Sequence, residues 1–370
     1  MASLAYLDWN ATAPLRTEVI SAMAEALTRT GNPSSVHRWG REARQAVERA
    51  RAEVAALVGA APAEVVFTSG GTEANQLALR GVSGRRILIS AIEHDSVGEA
   101  VPDAAAIPVT PAGVIDLAAL ETLLADDPRP ALVSIMLANN ETGAIQPVAE
   151  ATAIARRHNA LSHCDGIQGV GKIAVDFRAL GVDLLSISAH KLGGPQGIGA
   201  LVVRDGVDLD PLQRGGGQER GRRAGTENVP GTVGFGVAAA LAAGESLPSP
   251  KIRELRDAAE TGLISVAPDA RVFASEAPRL PNTLCIGMPG VPASTQVMAL
   301  DLAGVMVSAG AACSSGKVRR SHVLSAMGAT PEEAESAIRV SLGWSTTAAE
   351  IERLVDAWTA VYRRTRSVAA

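Results

Sequence analysis

The chain has 370 residues, 47% of them apolar and 20% charged, enough for one large and one smaller core. Its 34 Lys and Arg against 39 Asp and Glu leave a net charge of −5, which argues against nucleic acid or an anionic membrane as a partner, since both call for basic excess. Three cysteines without a CxxC pair give neither a disulfide framework nor a zinc site, and the most apolar stretch, Val233 to Gly244, is shorter than a membrane span. No secretion signal opens the chain, so a soluble, cytoplasmic protein is expected.

Taken in order, the amphipathic stretch Arg41 to Val58 leads into a strand over Val65–Thr68. Further strands are expected over Ile87–Ser90, Ala131–Leu137, Leu161–Asp165, Asp183–Ser188 and Ala200–Arg204. These runs are almost continuously apolar, which predicts strands covered on both faces in a mostly parallel sheet between helices. Beyond about residue 250 the texture changes. A helix over Lys251–Ala267 is followed by short strands (Arg271–Phe273, Thr283–Met288, Val305–Val307). Helices are expected near Thr295–Leu302, Pro331–Ile338 and Thr347–Arg363, an α+β pattern suited to a second, smaller domain.

In open α/β sheets ligands bind beyond the carboxyl ends of the strands, so residues just after these runs carry the most weight. Gly70-Gly71-Thr72 follows the first strand and opens a helix, either as an anion cup or as an ordinary capped turn. His94 could stack on a cofactor ring or be a loop histidine. Asn140 could give an amide to a ligand or make a tight turn. Asp165 ends a strand as a helix cap or as the acidic partner that keeps a pyridine nitrogen protonated. Lys191 directly follows a buried strand and precedes a glycine-rich loop. Desolvation there would lower its pKa and free an amine to condense with an aldehyde, the alternative being a surface lysine. Cys164 and Cys285 fall inside apolar strands as core residues. Cys313 stands among Gly, Ala and Ser, with Lys317, Arg319 and Arg320 to favour a thiolate; it is either reactive or a solvent-facing loop residue.

In this order, seven pieces of the chain resemble the cysteine desulfurases, pyridoxal-phosphate enzymes of the class V aminotransferase group. They are Tyr6–Pro14, Gly31–His37, Thr68–Glu73, Asn139–Gly143, His190-Lys191 with its glycine-rich tail, Arg223–Thr226 and Ala312–Gly316. The resemblance implies a fold-type I α/β architecture. A large pyridoxal-phosphate domain would span residues 15–250, and a small domain over 251–370, joined by residues 1–14, would carry the cysteine loop. It makes Lys191 the lysine that binds the cofactor covalently, Asp165 the partner of its pyridine nitrogen, and His94 the ring-stacking residue that helps proton transfer. Gln168 and Asn140 become cofactor ligands, with Asn140 also near the substrate. Gly71, Thr72, Ser188 and His190 would form the phosphate site. Thr226 would reach the phosphate of the other subunit, hence a homodimer. Arg339 is similar to the arginine that clamps the substrate carboxylate, its alternative being a structural ion pair. Cys313 would take sulfur from L-cysteine as a persulfide, leaving alanine, and pass it to an acceptor such as an iron–sulfur scaffold protein.

The context of Cys313 is similar to the branch with an extended cysteine loop that serves iron–sulfur assembly. Ala189, Gly166 and Ala309 depart from the family pattern. The chain ends at Ala370, without the tail that housekeeping members use to dock their scaffold, which turns the expectation toward a nitrogen-fixation-type or other dedicated role. Selenocysteine lyase and class V aminotransferase are the alternatives within the cofactor class, although a transaminase has no use for Cys313. A non-catalytic scaffold is disfavoured because every position expected to touch the cofactor is chemically competent. A cysteine hydrolase lacks any local signature.

Overall fold

The computed structural model describes residues 4–310 and 320–369. Its strands are β1 (Ala5–Tyr6), β2 (Val65–Thr68), β3 (Arg86–Ser90), β4 (Ala105–Ile107), β5 (Ala131–Met136), β6 (Leu161–Asp165) and β7 (Leu184–Ser188). These are followed by β8 (Gly199–Val203), β9 (Arg271–Val272), β10 (Thr283–Gly287), β11 (Val305–Met306), β12 (Ser308–Ala309) and β13 (Ala337–Ser341). Seven of them make one sheet in the order β2-β8-β7-β6-β5-β3-β4. Every neighbouring pair from β7 to β4 is parallel, and β8 runs against both β7 and β2. β2, β3, β5, β6 and β7 therefore end at the same edge of the sheet.

Alternation along these strands feeds two cores. Phe67, Val133, Leu185 and Val202 face a cluster shared with Val47, Val54, Phe235 and Ala239 of the helices Arg38–Leu57 and Val229–Ala243. Val66, Leu132, Leu184 and Leu201 face Ala74, Leu77 and Ala78 of the helix Gly71–Arg80 on the other side. Both faces are covered, which is why the runs read as continuous apolarity. Gly236 sits where a Cβ would come within 2.6 Å of Ala50 Cα, so only glycine lets these two helices approach so closely.

The remaining strands form an antiparallel sheet, β9-β10-β13-β12, and the parallel pair β1-β11. Leu284, Ile286, Ile338 and Val340 pack there with Leu263 of the helix Pro250–Val266 and with Leu354 and Trp358 of the helix Ala348–Ala369. Ala5 and Leu7 join the same core. Two expectations are corrected. The helix expected over Pro331–Ile338 stops at Ser336, because the next residues are drawn into β13, fully buried and paired on both edges. The strand expected over Val305–Val307 divides into β11 and β12, which belong to different sheets. β4 was not anticipated; it is a three-residue edge strand whose two alanines are exposed. No helix of the described residues is long and apolar enough to cross a membrane.

Inside the large sheet His163 bridges two strands, its ring nitrogens 2.9 Å from Ser134 Oγ and 2.9 Å from Ser186 Oγ. Complete burial draws its pKa down to about 3. A histidine whose folded pKa is depressed is neutral in both states above its unfolded value near 6.5. Below that the unfolded chain takes the proton first, so stability falls by about 1.4 kcal/mol per pH unit until the folded pKa is reached. The stability advantage of the wild type over His163→Asn should therefore shrink by that amount between pH 6 and pH 5 in denaturant titrations. An advantage independent of pH would refute the neutral assignment.

Candidate active site

The loops leaving the common edge of the sheet converge on a cavity of about 330 Å³. After β2 the chain turns through Gly70 into the helix Gly71–Arg80, and no side chain caps its first N–H groups. A Cβ on Gly71 would lie 2.2 Å from the end of the Ile167 side chain, so any larger residue there would require Ile167 to shift. Free N–H groups at the start of a ten-residue helix attract an anion. Glu73, in the same turn, would oppose one, but Arg223 grips it at 2.8 Å and 3.2 Å and Ser69 N–H donates to it at 2.6 Å. Burial acts to raise the Glu73 pKa, yet these contacts outweigh it and hold the carboxyl below its ordinary range.

Asp165, at the end of β6, is buried. Its Oδ1 accepts the Ile167 N–H at 3.0 Å and its Oδ2 accepts Asn75 Nδ2 at 2.8 Å. Burial raises its pKa, opposed by those two donors and by the charges of His94 and Lys191. The same Asn75 nitrogen donates to Ser96 Oγ at 2.9 Å, and that hydroxyl lies 2.9 Å from His94 Nδ1. Because Nδ1 also accepts the Ser96 N–H at 3.0 Å, Nδ1 is the acceptor nitrogen and a ring N–H lies on Nε2. A polar chain thus runs from Asp165 to His94. Behind it Glu93 is entirely buried, accepts the Met136 N–H at 2.7 Å, and is pushed well above the carboxylate range by desolvation and by Asp165.

Lys191 follows β7 and donates to the backbone oxygens of Asn10 at 2.6 Å and Ala11 at 2.8 Å. Burial first, and Arg339 second, bring its pKa down to about 8 against the pull of Asp8 and Asp165. His190 lies 3.2 Å from Thr12 Oγ1, and its pKa falls to about 4 through burial and the nearby lysine charges. Arg339, on β13, reaches the cavity between two sheets, donating to Asp8 Oδ1 at 2.7 Å and to the Asn140 oxygen at 3.1 Å. Among the described residues its buried Nε has no partner, and only two of its five N–H groups are engaged. It is an ion pair with Asp8 and a cavity residue at once.

Lys191, Asp165, His94, Gly71, Thr72, Asn140, Gln168, Ser188, His190 and Arg339 all line this one cavity. Thr226 does not; it is exposed on a loop outside it. Cys313 lies outside the described residues, whereas Cys164 and Cys285 are buried thiols whose pKa values burial raises. Sequence reasoning missed Asp8, Asn10, Ser96 and Lys172. The first two lie in the Tyr6–Pro14 piece, which the resemblance singled out without giving either residue a role; only the fold shows that the segment after β1 lines the cavity. The donor set offers helix N–H groups at one end, a buried carboxylate at another and a partly neutral amine, which suits an anionic aldehyde with a basic ring nitrogen.

Comparison with known proteins gives a consistent result. The model of the aminotransferase class-V family matches residues 5–354. A cysteine desulfurase of Cereibacter sphaeroides is 46% identical over 95% of this chain and 94% of its own length. The cysteine desulfurase IscS of Dictyoglomus turgidum is 41% identical over 98% of this chain and 95% of its own. Among solved structures, a NifS-like protein from Rickettsia africae superposes with a TM-score of 0.91 at 37% identity, covering 98% of this chain and all of that one (100%). This chain therefore belongs to the class-V aminotransferase family and, within it, to the cysteine desulfurases.

Proposed function

We propose that the protein removes sulfur from L-cysteine, releasing L-alanine and holding the sulfur on Cys313 for an acceptor protein of iron–sulfur cluster assembly. The observation that carries this reading is the shared cavity of Lys191, Asp165, His94 and Arg339, in a chain of this family. Pyridoxal 5′-phosphate fits the residues present, and when bound it supplies an electron sink for the pair left on the substrate Cα. Gly71, Thr72, Ser188 and His190 would hold its phosphate, Asp165 its pyridine nitrogen, and Asn140 and Gln168 its other polar groups.

The protein's own groups do the rest. Lys191, with its lowered pKa, carries the cofactor and then moves the Cα proton. Arg339, which lines the cavity, would offer its uncommitted guanidinium N–H groups to the substrate carboxylate. His94 would stack on the cofactor ring, with its Nε2 left available for proton transfer because Nδ1 is held by Ser96. The Cys313 thiolate attacks the substrate sulfur, the Cβ–S bond breaks, and its electrons return with a proton to the three-carbon product. Cysteine and one thiol thus become alanine and one persulfide, with no external oxidant.

A homodimer is part of the reading. Thr226 is exposed and does not line its own cavity. A groove of about 670 Å³, lined by Leu27, Trp39 and Glu227, lies nearby, and Leu27, Val36 and Trp39 leave apolar surface uncovered. The division into domains near residue 250 and the cytoplasmic location belong to the same proposal. To test it, the protein with pyridoxal phosphate, L-cysteine and reductant should yield sulfide and alanine in equal amounts. Cys313→Ser should lower sulfide release by about 10²-fold or more while leaving the bound cofactor's visible absorbance intact. Sulfide without matching alanine, or full turnover in that variant, would overturn the reading.

A further inference from the structure

We propose that Lys172 is a positioning residue that locks the Gln168 side chain with its amide nitrogen turned into the cavity. The inference rests on Gln168 being a cofactor ligand, as proposed above. The Lys172 Nζ donates to Gln168 Oε1 and, at 2.7 Å, to Asn10 Oδ1. Gln168 Nε2 donates to the Asn10 backbone oxygen at 2.9 Å. A backbone carbonyl only accepts, and an amine in either protonation state has N–H groups enough for both oxygens. Gln168 is therefore held from two ends. Reversed, its NH₂ would meet the Lys172 donors and its oxygen the Asn10 carbonyl, in a buried setting where lost partners are costly.

The second acceptor of Lys172 is fixed as well. Asn10 Oδ1 also receives Asn282 Nδ2 at 3.1 Å, while Asn10 Nδ2 donates to Thr283 Oγ1 at 2.9 Å and to the Asn140 oxygen at 3.2 Å. Lys172 makes no ion pair among the described residues, and desolvation together with the charges of Lys191 and Arg339 opposes its own. Its ordering of two amides is the role its contacts support. Of the two N–H groups on Gln168 Nε2, one serves Asn10, and the other has no protein acceptor among the described residues. That hydrogen suits the phenolic oxygen of a pyridoxal ring.

The test measures pyridoxal-phosphate affinity and the visible band of the bound cofactor in holoenzyme variants. Lys172→Met should weaken affinity about tenfold and shift the band, Gln168→Ala should do the same, and the double variant should be no weaker than either. Gln168→Glu keeps an acceptor for Lys172 but has no N–H to give, so it should match Gln168→Ala. Lys172→Arg, which keeps donors for both oxygens, should hold band and affinity near the wild type, and a loss there equal to that of Gln168→Ala would overturn the inference even if Lys172→Met fails to fold. An unchanged band and affinity in Lys172→Met, losses that multiply in the double variant, or a normal band in Gln168→Glu would overturn the inference. Absence of any visible band in the wild type would instead overturn the cofactor reading itself, and this inference with it.

Discussion

Replacing Lys191 with alanine should abolish covalent cofactor attachment and lower cysteine turnover by about 10³-fold or more, because one amine serves both as anchor and as proton carrier. General acid–base catalysis alone is worth about 10²–10⁴-fold. The loss should not come from unfolding. Lys191 is a largely buried cation whose hydrogen bonds, among the described residues, go to two backbone oxygens, and Asn10 O keeps Gln168 as a donor when the amine is gone. Borohydride treatment followed by gel filtration should retain pyridoxal on the wild type and not on the variant. With an amine pKa of about 8, only about a tenth is neutral at pH 7, and the neutral form is the nucleophile. Covalent uptake by the wild type should accordingly rise close to tenfold per pH unit below that value and level off above it. Pyridoxal still covalently attached to the borohydride-treated variant after denaturation would overturn the assignment of Lys191 as the anchor.

Asp165→Asn should separate attachment from chemistry. The variant keeps the size of the side chain and an oxygen for the Ile167 N–H, so pyridoxal phosphate should still be held by Lys191. What it loses is the negative charge that favours a protonated ring nitrogen, and its new NH₂ faces the Asn75 donor. Removing a single electrostatic stabiliser of this kind typically costs about 10²–10³-fold in kcat. Asp165→Glu should retain more activity than Asp165→Asn. Equal turnover in wild type and Asp165→Asn would show that the carboxylate has no part in the reaction.

The large sheet was legible because strands covered on both faces leave a plain mark: β5 is apolar but for Ser134, and β7 but for its serines. Lys191 and Asp165 stood out for the same reason, as charged residues at the ends of buried runs. β13 did not, since Ala337-Ile-Arg-Val-Ser follows a capped helix and Arg339 interrupts its apolar pattern; only pairing with β10 and β12 makes it a strand. Lys172 was invisible because its partners are set by tertiary structure, one of them 162 residues away. Asn75 and Ser96 were hidden in a similar way. Each lies near a residue already singled out, but the hydrogen bond between them spans 21 positions.

The first strand and the segment after it have a practical meaning. Residues 5–7 are woven into the smaller core, Asp8 engages Arg339, the Asn10 and Ala11 carbonyls receive Lys191, and the Ala13 N–H closes on the His190 oxygen at 2.9 Å. A protease that clipped this ribbon would do more than shorten the molecule. It would unfasten a seam between the two cores and strip part of the lining of the reaction chamber in a single cut, so the leading dozen residues merit the same protection as the catalytic centre.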